Sequence, residues 1–266
     1  MNAITSTTGP VQQQRIGMSI SRKRWRTFAR NKLAVASLVF LIIVHLAALL
    51  APFITPYQPQ RTAPTNSLQP PSSAHVLGTD EVGRDVFTRL LYGGRVSLLV
   101  GIAAVAVSVV VGTLAGGLSG FFRGWVDSVL MRFTDAMLVI PTFFLLLLVL
   151  TIFGGSLLTI ILVIGLTSWM AIARLVRGEI LRFNDAEFVV AARATGAGSW
   201  RILFVHVLPQ AISAIIIAAT LGVAYAILTE SALSYLGLGV QPPTATWGNM
   251  LQNAQQKMFN APLLSV

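Results

Sequence analysis

Apolar runs about twenty residues long, separated by short charged or Gly- and Pro-rich breaks, set the rhythm of this 266-residue chain. A helix rising roughly 1.5 Å per residue needs about 20 apolar residues to cross a bilayer, and five stretches meet that length. Leu33–Phe53 is the first, closed by Pro52, Pro56 and Pro59. A polar segment, 54–95, follows. Val96–Gly120 is the second, 25 residues without a charge. After a polar turn at Phe121–Ser128, Gly154-Gly155-Ser156 divides a long apolar stretch into antiparallel spans at about 130–153 and 157–176. The fifth lies near Val207–Thr229. The pattern predicts an all-α integral membrane protein.

The breaks carry the candidate chemistry. Between the fourth and fifth spans lies a charged island, Asn184–Pro209, NDAEFVVAARATGAGSWRILFVHVLP. Asn184 stands three residues before Glu187, a capping-box-like start. Gly196 supplies a left-handed stop after Ala191, Ala192 and Thr195, Gly198 loosens the turn, and Ser199 caps a second short helix. Pro209 marks the passage into the membrane. A helix of roughly ten residues is about 15 Å long, a rigid lever for a partner to grip. Ala191, Ala192, Ala194 and Gly196 permit close backbone approach, Phe188, Val189, Trp200 and Phe204 offer apolar anchors, and Arg193 and Arg201 offer cations. The plainer alternative is a loop whose alanines reflect helix propensity alone.

In 78–95, Asp80 and Asp85 precede Arg84 and Arg89 by four residues and Glu81 precedes Arg84 by three, the spacing of an amphipathic interfacial helix. The alternative is a scaffold that meets a partner. Arg132 and Asp135, three apart, predict a local salt bridge near the membrane surface. Glu230 and His45 lie near span ends. Pro141 predicts a kink, and Gly112, Gly116, Gly117 and Gly120 predict close helix packing. Residues 231–256 are uncharged, yet Gly237, Gly239, Pro242, Pro243 and Asn249 argue against a further span. The Gly237–Trp247 loop reads equally as a gate or as a cap over span ends. Ala261–Val266 is apolar but too short to cross.

Composition sharpens this picture. Residues are 55% hydrophobic and 11% charged, with mean hydropathy +0.75, against roughly 25% charged in soluble domains. The absence of cysteine excludes disulfides, thiolate nucleophiles and Cys-based metal sites. His45, His75 and His206 are too scattered for a metal tract, and the carboxylates of 80–85 lack a nucleophile or metal partner, so neither catalytic residues nor metal ligands are expected. No G-x-x-x-x-G-K-[ST] loop occurs. The net charge is +10, and seven of the 19 Lys and Arg precede Leu33 with no acid among them. That flank fits anionic lipid rather than nucleic acid. It is also too long, and lacks the cleavage site, for a signal peptide. With the N-terminus inside, the inner segments hold 7, 2 and 5 basic residues and the outer ones 4 and 1, so the positive-inside rule makes the island cytoplasmic.

Three motifs resemble one family. The EAA loop of ABC-importer permeases reads E-A-A, three residues, G, nine residues, I-x-L-P. Ala191-Ala192, Gly196 and Leu208-Pro209 keep that spacing, while Val190 and His206 replace the Glu and the Ile. HVLGTDEVGRDVFTRLLYGGRVSLLVG (75–101) and SALSYLGLGVQPPTATWGNML (231–251) are similar to segments of the C-type permease subunits of dipeptide, oligopeptide and nickel ABC importers. The resemblance covers most of the chain from Leu33 onward. It implies a type I permease fold with five spans visible here and a sixth, usual in the family, missing or truncated. The implied layout is a basic cytoplasmic segment (1–32), a first transmembrane helix (33–53), an extracytoplasmic segment (54–95) and an ABC type-1 core (96–266) containing the coupling loop 184–209. The implied function is that of a non-catalytic subunit forming half of the pathway of an ATP-driven peptide importer, with nickel chelates or glutathione as alternative cargo. An ion-coupled secondary carrier is the rival, and needs midplane ionisable groups that are scarce. Implied partners are a B-type permease, two ABC ATPases that bind the ATP and Mg, an extracytoplasmic binding protein and lipid of a bacterial inner membrane. Glu187, Ala191, Ala192, Arg193, Gly196, Ser199, Arg201, Leu208 and Pro209 would couple to the ATPase. Asp80, Arg84, Asp85, Pro242 and Trp247 would serve the outer side.

Overall fold

The computed structural model describes residues 20–257. The beginning of the basic flank and the Ala261–Val266 stretch lie outside them. The chain divides into two units, 1–44 and 45–266. In the first, α1 (Ile20–Arg30) stacks Trp25 on Phe28 at 5.7 Å. Helix α2 (Lys32–Leu49) begins there, with Asn31 Oδ1 accepting from Ala34 N at 3.2 Å, an N-cap bond.

The second unit opens with the last turn of α2 and α3 (Ala51–Ile54), with Pro52 in its first turn where no amide partner is lost. The described residues contain no strand, only an isolated bridge between Thr79 and Asp85. Helix α4 (Val86–Phe122) is 37 residues long and starts before the uncharged run at Val96, because Asp85 caps it by accepting from Thr88 N at 2.7 Å. The turn expected at Phe121–Ser128 shrinks to Arg123, which has φ +53, and α5 (Gly124–Val139) follows at once. The third span is not one kinked helix. Pro141 lacks the amide for the next helical bond and disfavours helical geometry at Ile140, so α5 and α6 (Thr142–Phe153) meet at 81°.

Helix α7 (Leu157–Phe183) runs parallel to α4 along a glycine seam. A Cβ at Gly112 would lie 2.7 Å from Trp169 O and one at Gly120 would lie 2.8 Å from Arg177 O, with Gly116 closer still to Ala173 O. Small residues at this spacing let backbones touch where lipid offers no hydrophobic drive. Gly117 faces nothing within 4 Å and takes no part in the seam. After α8 (Glu187–Ala194) and α9 (Ser199–Arg201), a π-helical stretch Ile202–Val207 leads into α10 (Leu208–Tyr235). Helix α10 runs antiparallel to α4, with Ile227 against Gly101 and Gly222 against Val105. Helix α11 (Trp247–Gln256) closes the described chain. Among the described residues, four helices are long and apolar enough to cross a bilayer, five if α5 and α6 count as one span. One buried cluster, including Val100, Ile160 and Leu233, fills the end capped by 55–85 and 236–257. A second, including Phe121, Val176, Ile180 and Ile202, fills the end that carries the island.

Candidate functional site

The island folds differently from the pattern read locally. Asn184 extends α7, its amide bonding to Ile180 O at 2.9 Å, and Ala186 occupies the N-cap position of α8 with no side-chain cap. The Asn184 side chain is committed elsewhere: Nδ2 donates to Phe121 O at 3.1 Å, and Oδ1 accepts from Arg193 Nη2 at 2.8 Å. The stop at Gly196 forms as expected, with φ +82, Gly196 N bonded to Arg193 O at 3.0 Å and Ala197 N to Ala192 O at 3.1 Å. Ser199 is not a cap, because Gly198 takes that position and Ser199 already lies in α9. The second island helix is the start of one apolar helix, Ser199–Tyr235. Pro209, in the first turn of α10, cannot bond to Val205 O and crowds it. The widened π turns immediately before it fit that loss.

One face of the island is buried. Val189, Ile202, Leu203 and Val207 are nearly inaccessible and join the core with half-buried Ala192. Val189 is thus unavailable as a partner anchor. Glu187, Phe188, Ala191, Arg193, Gly196, Ser199, Arg201 and Pro209 are exposed, and Leu208 is half-buried. Trp200, 59% exposed, stacks on Phe204 at 5.9 Å and meets Phe122 edge-on at 5.3 Å, and all three rings face outward. The surrounding helix ends are pinned by ions. Arg123 bonds Asp185 at 2.7 Å, and Arg177 grips Asp127 through two 2.6 Å bonds, with Ser119 also donating to Asp127. Asp135 pairs with Arg174 of α7 at 2.6 Å, not with Arg132, because α7 passes alongside α5.

The opposite end is knit from buried polar groups. Asp80 and Arg84 do pair, at 2.6 Å, but in a turn: Asp80 Oδ1 accepts from Val82 N and Arg84 N at 3.0 and 2.9 Å. The expected Asp85–Arg89 pair does not form. Asp85 is spent on capping α4 and on His75 Nδ1 at 2.9 Å, while Arg89 turns to Asp80 at 3.6 Å and donates to Pro59 O at 3.3 Å. Glu230 is fully buried, accepting from Ser97 Oγ at 3.1 Å and Ser234 Oγ at 2.6 Å. Ser97 Oγ in turn accepts from Trp247 N at 3.2 Å, and Trp247 Nε1 donates to Leu90 O at 3.1 Å. A capping box between Thr246 and Asn249 starts α11. Hydrogen bonds thus tie the Gly237–Trp247 loop to the end of α4, with Pro242 and Pro243 exposed at its tip. The Glu230–Ser234 contact is readable as an i,i+4 pair, whereas the Ser97 contact has no local signal.

Between these ends, α4, α7, α10 and the α5–α6 break line an open-sided cavity of about 400 Å³. Leu138 and Thr142, on either side of the break, line it. Its other polar groups are Ser108, Thr167, Ser168 and Tyr225, and no charged side chain is among the lining residues.

The model of binding-protein-dependent transport system inner membrane components matches residues 97–266, and that of the N-terminal TM domain of oligopeptide transport permease C matches residues 19–71. The chain is 40% identical to the dipeptide transport system permease protein DppC of Bacillus subtilis (strain 168), over 89% of this chain and 74% of the relative. It is 38% identical to the oligopeptide transport system permease protein OppC of the same organism, over 88% and 76%. It is also 38% identical to the glutathione transport system permease protein GsiD of Pectobacterium atrosepticum, over 92% and 82%.

Proposed function

The chain belongs to the family of binding-protein-dependent transport system inner membrane components, and from that premise we propose that it is the peptide-conducting permease subunit of an ATP-driven importer, coupled to its ATPase through residues 184–209. The observation that carries the coupling is the one-sided burial of the island. Val189, Ile202 and Leu203 fix it to the core, while a short small-residue helix and a triplet of aromatic rings stay exposed. Clustered exposed apolar rings on a rigid frame are what a protein partner buries first.

In this reading Glu187, Phe188, Ala191 and Arg193 on α8 enter a groove of the ATPase. Gly196 and Ser199 turn the chain, and Trp200 and Arg201 extend the contact. Ala192, Leu208 and Pro209 hold the loop to its spans. The island faces the cytoplasm of a bacterial cell, and the N-terminus lies on the same side. The capped end faces outward, where Pro242 and Pro243 meet a substrate-binding protein. A second permease completes the pathway, and ATP and Mg reside on the ATPases. Closure of the ATPases draws the paired coupling loops together and turns the cavity outward.

Peptide cargo rests on the relatives that carry dipeptides and oligopeptides, and the equally similar glutathione permease keeps that cargo as a second reading. An ion-coupled carrier is disfavoured because the intermediate cavity has no charged lining. The test is co-purification with the ATPase after Gly196→Leu. A Cβ at 196 would meet nothing in this chain within 4 Å, but φ is +82 there, so an unfolding midpoint measured beside the association separates backbone strain from loss of the partner surface. Undiminished association and undiminished substrate-stimulated ATP turnover would contradict the assignment.

A further inference from the structure

Asn184 is 3% exposed, so it offers nothing to a partner, yet it is the hinge point between three elements. It ends α7, holds α8 through Arg193, and reaches across 63 positions to Phe121 O. Phe121 lies in the last turn of α4, where a carbonyl has no amide within the helix to accept from. Asn184 fills that vacancy. The task needs one group that donates to Phe121 O and another that accepts from Arg193, both at this length. The Asn184 carboxamide supplies both, whereas a carboxylate cannot donate and an ammonium cannot accept. Its neighbour repeats the link one step outward, Asp185 bonding Arg123, the left-handed corner where α4 turns into α5. Beyond the corner, the glycine seam locks α4 to α7.

Resting on the coupling reading above, we propose that Asn184 is the positioning residue that delivers movement of α8 to α4. Through the Phe121 bond, displacement of α8 by the ATPase becomes displacement of the α4 end and the α4–α5 corner. Without that bond α8 still binds the ATPase, but its motion dissipates in the loop. The Arg193 bond sets the angle of α8, and the Phe121 bond transmits it.

The experiment uses the complete transporter in liposomes, with both permeases, the ATPases and a dialanine-loaded binding protein. The readout is the ratio of stimulated to unstimulated ATP turnover. In Asn184→Ala both bonds are lost. In Asn184→Asp the Arg193 bond survives, while donation to Phe121 O is lost and two oxygens oppose each other. Both variants are expected to co-purify with the ATPase and to lose about tenfold in stimulation ratio, the size of a buried polar bond broken on one side. If Asn184→Ala does not assemble, Asn184→Asp decides alone, because it keeps the bond internal to the island. Full stimulation in Asn184→Asp beside a normal unsubstituted chain overturns this inference only. No stimulation in the unsubstituted chain overturns the coupling reading and this inference together.

Discussion

Two helices of this protein end on the same hydrogen-bonded glycine turn in opposite surroundings. After α8, Gly196 (φ +82) closes on Arg193 and Ala197 on Ala192. After α10, Gly237 (φ +79) closes on Ser234 and Leu238 on Leu233. A Cβ on Gly196 would meet nothing within 4 Å. Gly237 leads instead into a loop whose Gly239 is pressed against Ser234, beside the buried Glu230. One local motif thus serves two purposes. At the capped end, polar groups are spent on each other and the chain is sealed. At the island end, the buried face is apolar except for Asn184, and the exposed face keeps aromatic rings that the coupling reading assigns to a partner.

Stability and coupling should accordingly separate by region. The largest stability loss is expected for Asp80→Ala, which takes the shared carboxylate from Arg84 and Arg89, whose side chains are 10% and 4% exposed, and leaves them only Glu81 and Pro59 O. Removing one partner of a buried pair costs about 3 kcal/mol, read as an earlier unfolding midpoint of the purified protein. Glu230→Ala comes next, at about 2 kcal/mol, because it takes the acceptor from the Ser97 and Ser234 O–H groups. Glu230→Gln, which can accept from one serine and donate to the other, should recover most of it. Gly196→Leu should cost only about 1 kcal/mol, the strain of a left-handed L-residue, while abolishing ATPase association. Smallest is Trp200→Ala, within about 0.5 kcal/mol of the parent, with ATPase association weakened. A midpoint shift for Trp200→Ala as large as that for Asp80→Ala would erase the distinction between the two ends.

What could be read from sequence follows the range of the forces involved. Spans announce themselves through hydropathy, and Gly196 through local turn chemistry, so both were accessible. The Gly112, Gly116 and Gly120 seam was visible as a spacing, although Gly117 carries the same letter without the contact. The early start of α4 was hidden because Arg89 and Arg95 read as part of a separate interfacial segment until Asp80 and Pro59 O are seen beside Arg89. Asp85 and Arg89 had the right spacing for a pair, but a cap bond and His75 outcompeted it. Asn184 looked like a cap because its true partner, Phe121 O, lies on another helix. Long-range polar commitments leave no periodic trace.

The chain has no cysteine, so one engineered thiol reports one place. The most direct test introduces Ala191→Cys on the exposed face of α8 and cross-links it in membranes that contain the assembled transporter. The account predicts a cross-link from position 191 to the ATPase subunit, its yield changing when ATP is added. A thiol at 191 that gives no ATPase cross-link, and is labelled only by reagents applied from outside the cell, would contradict it.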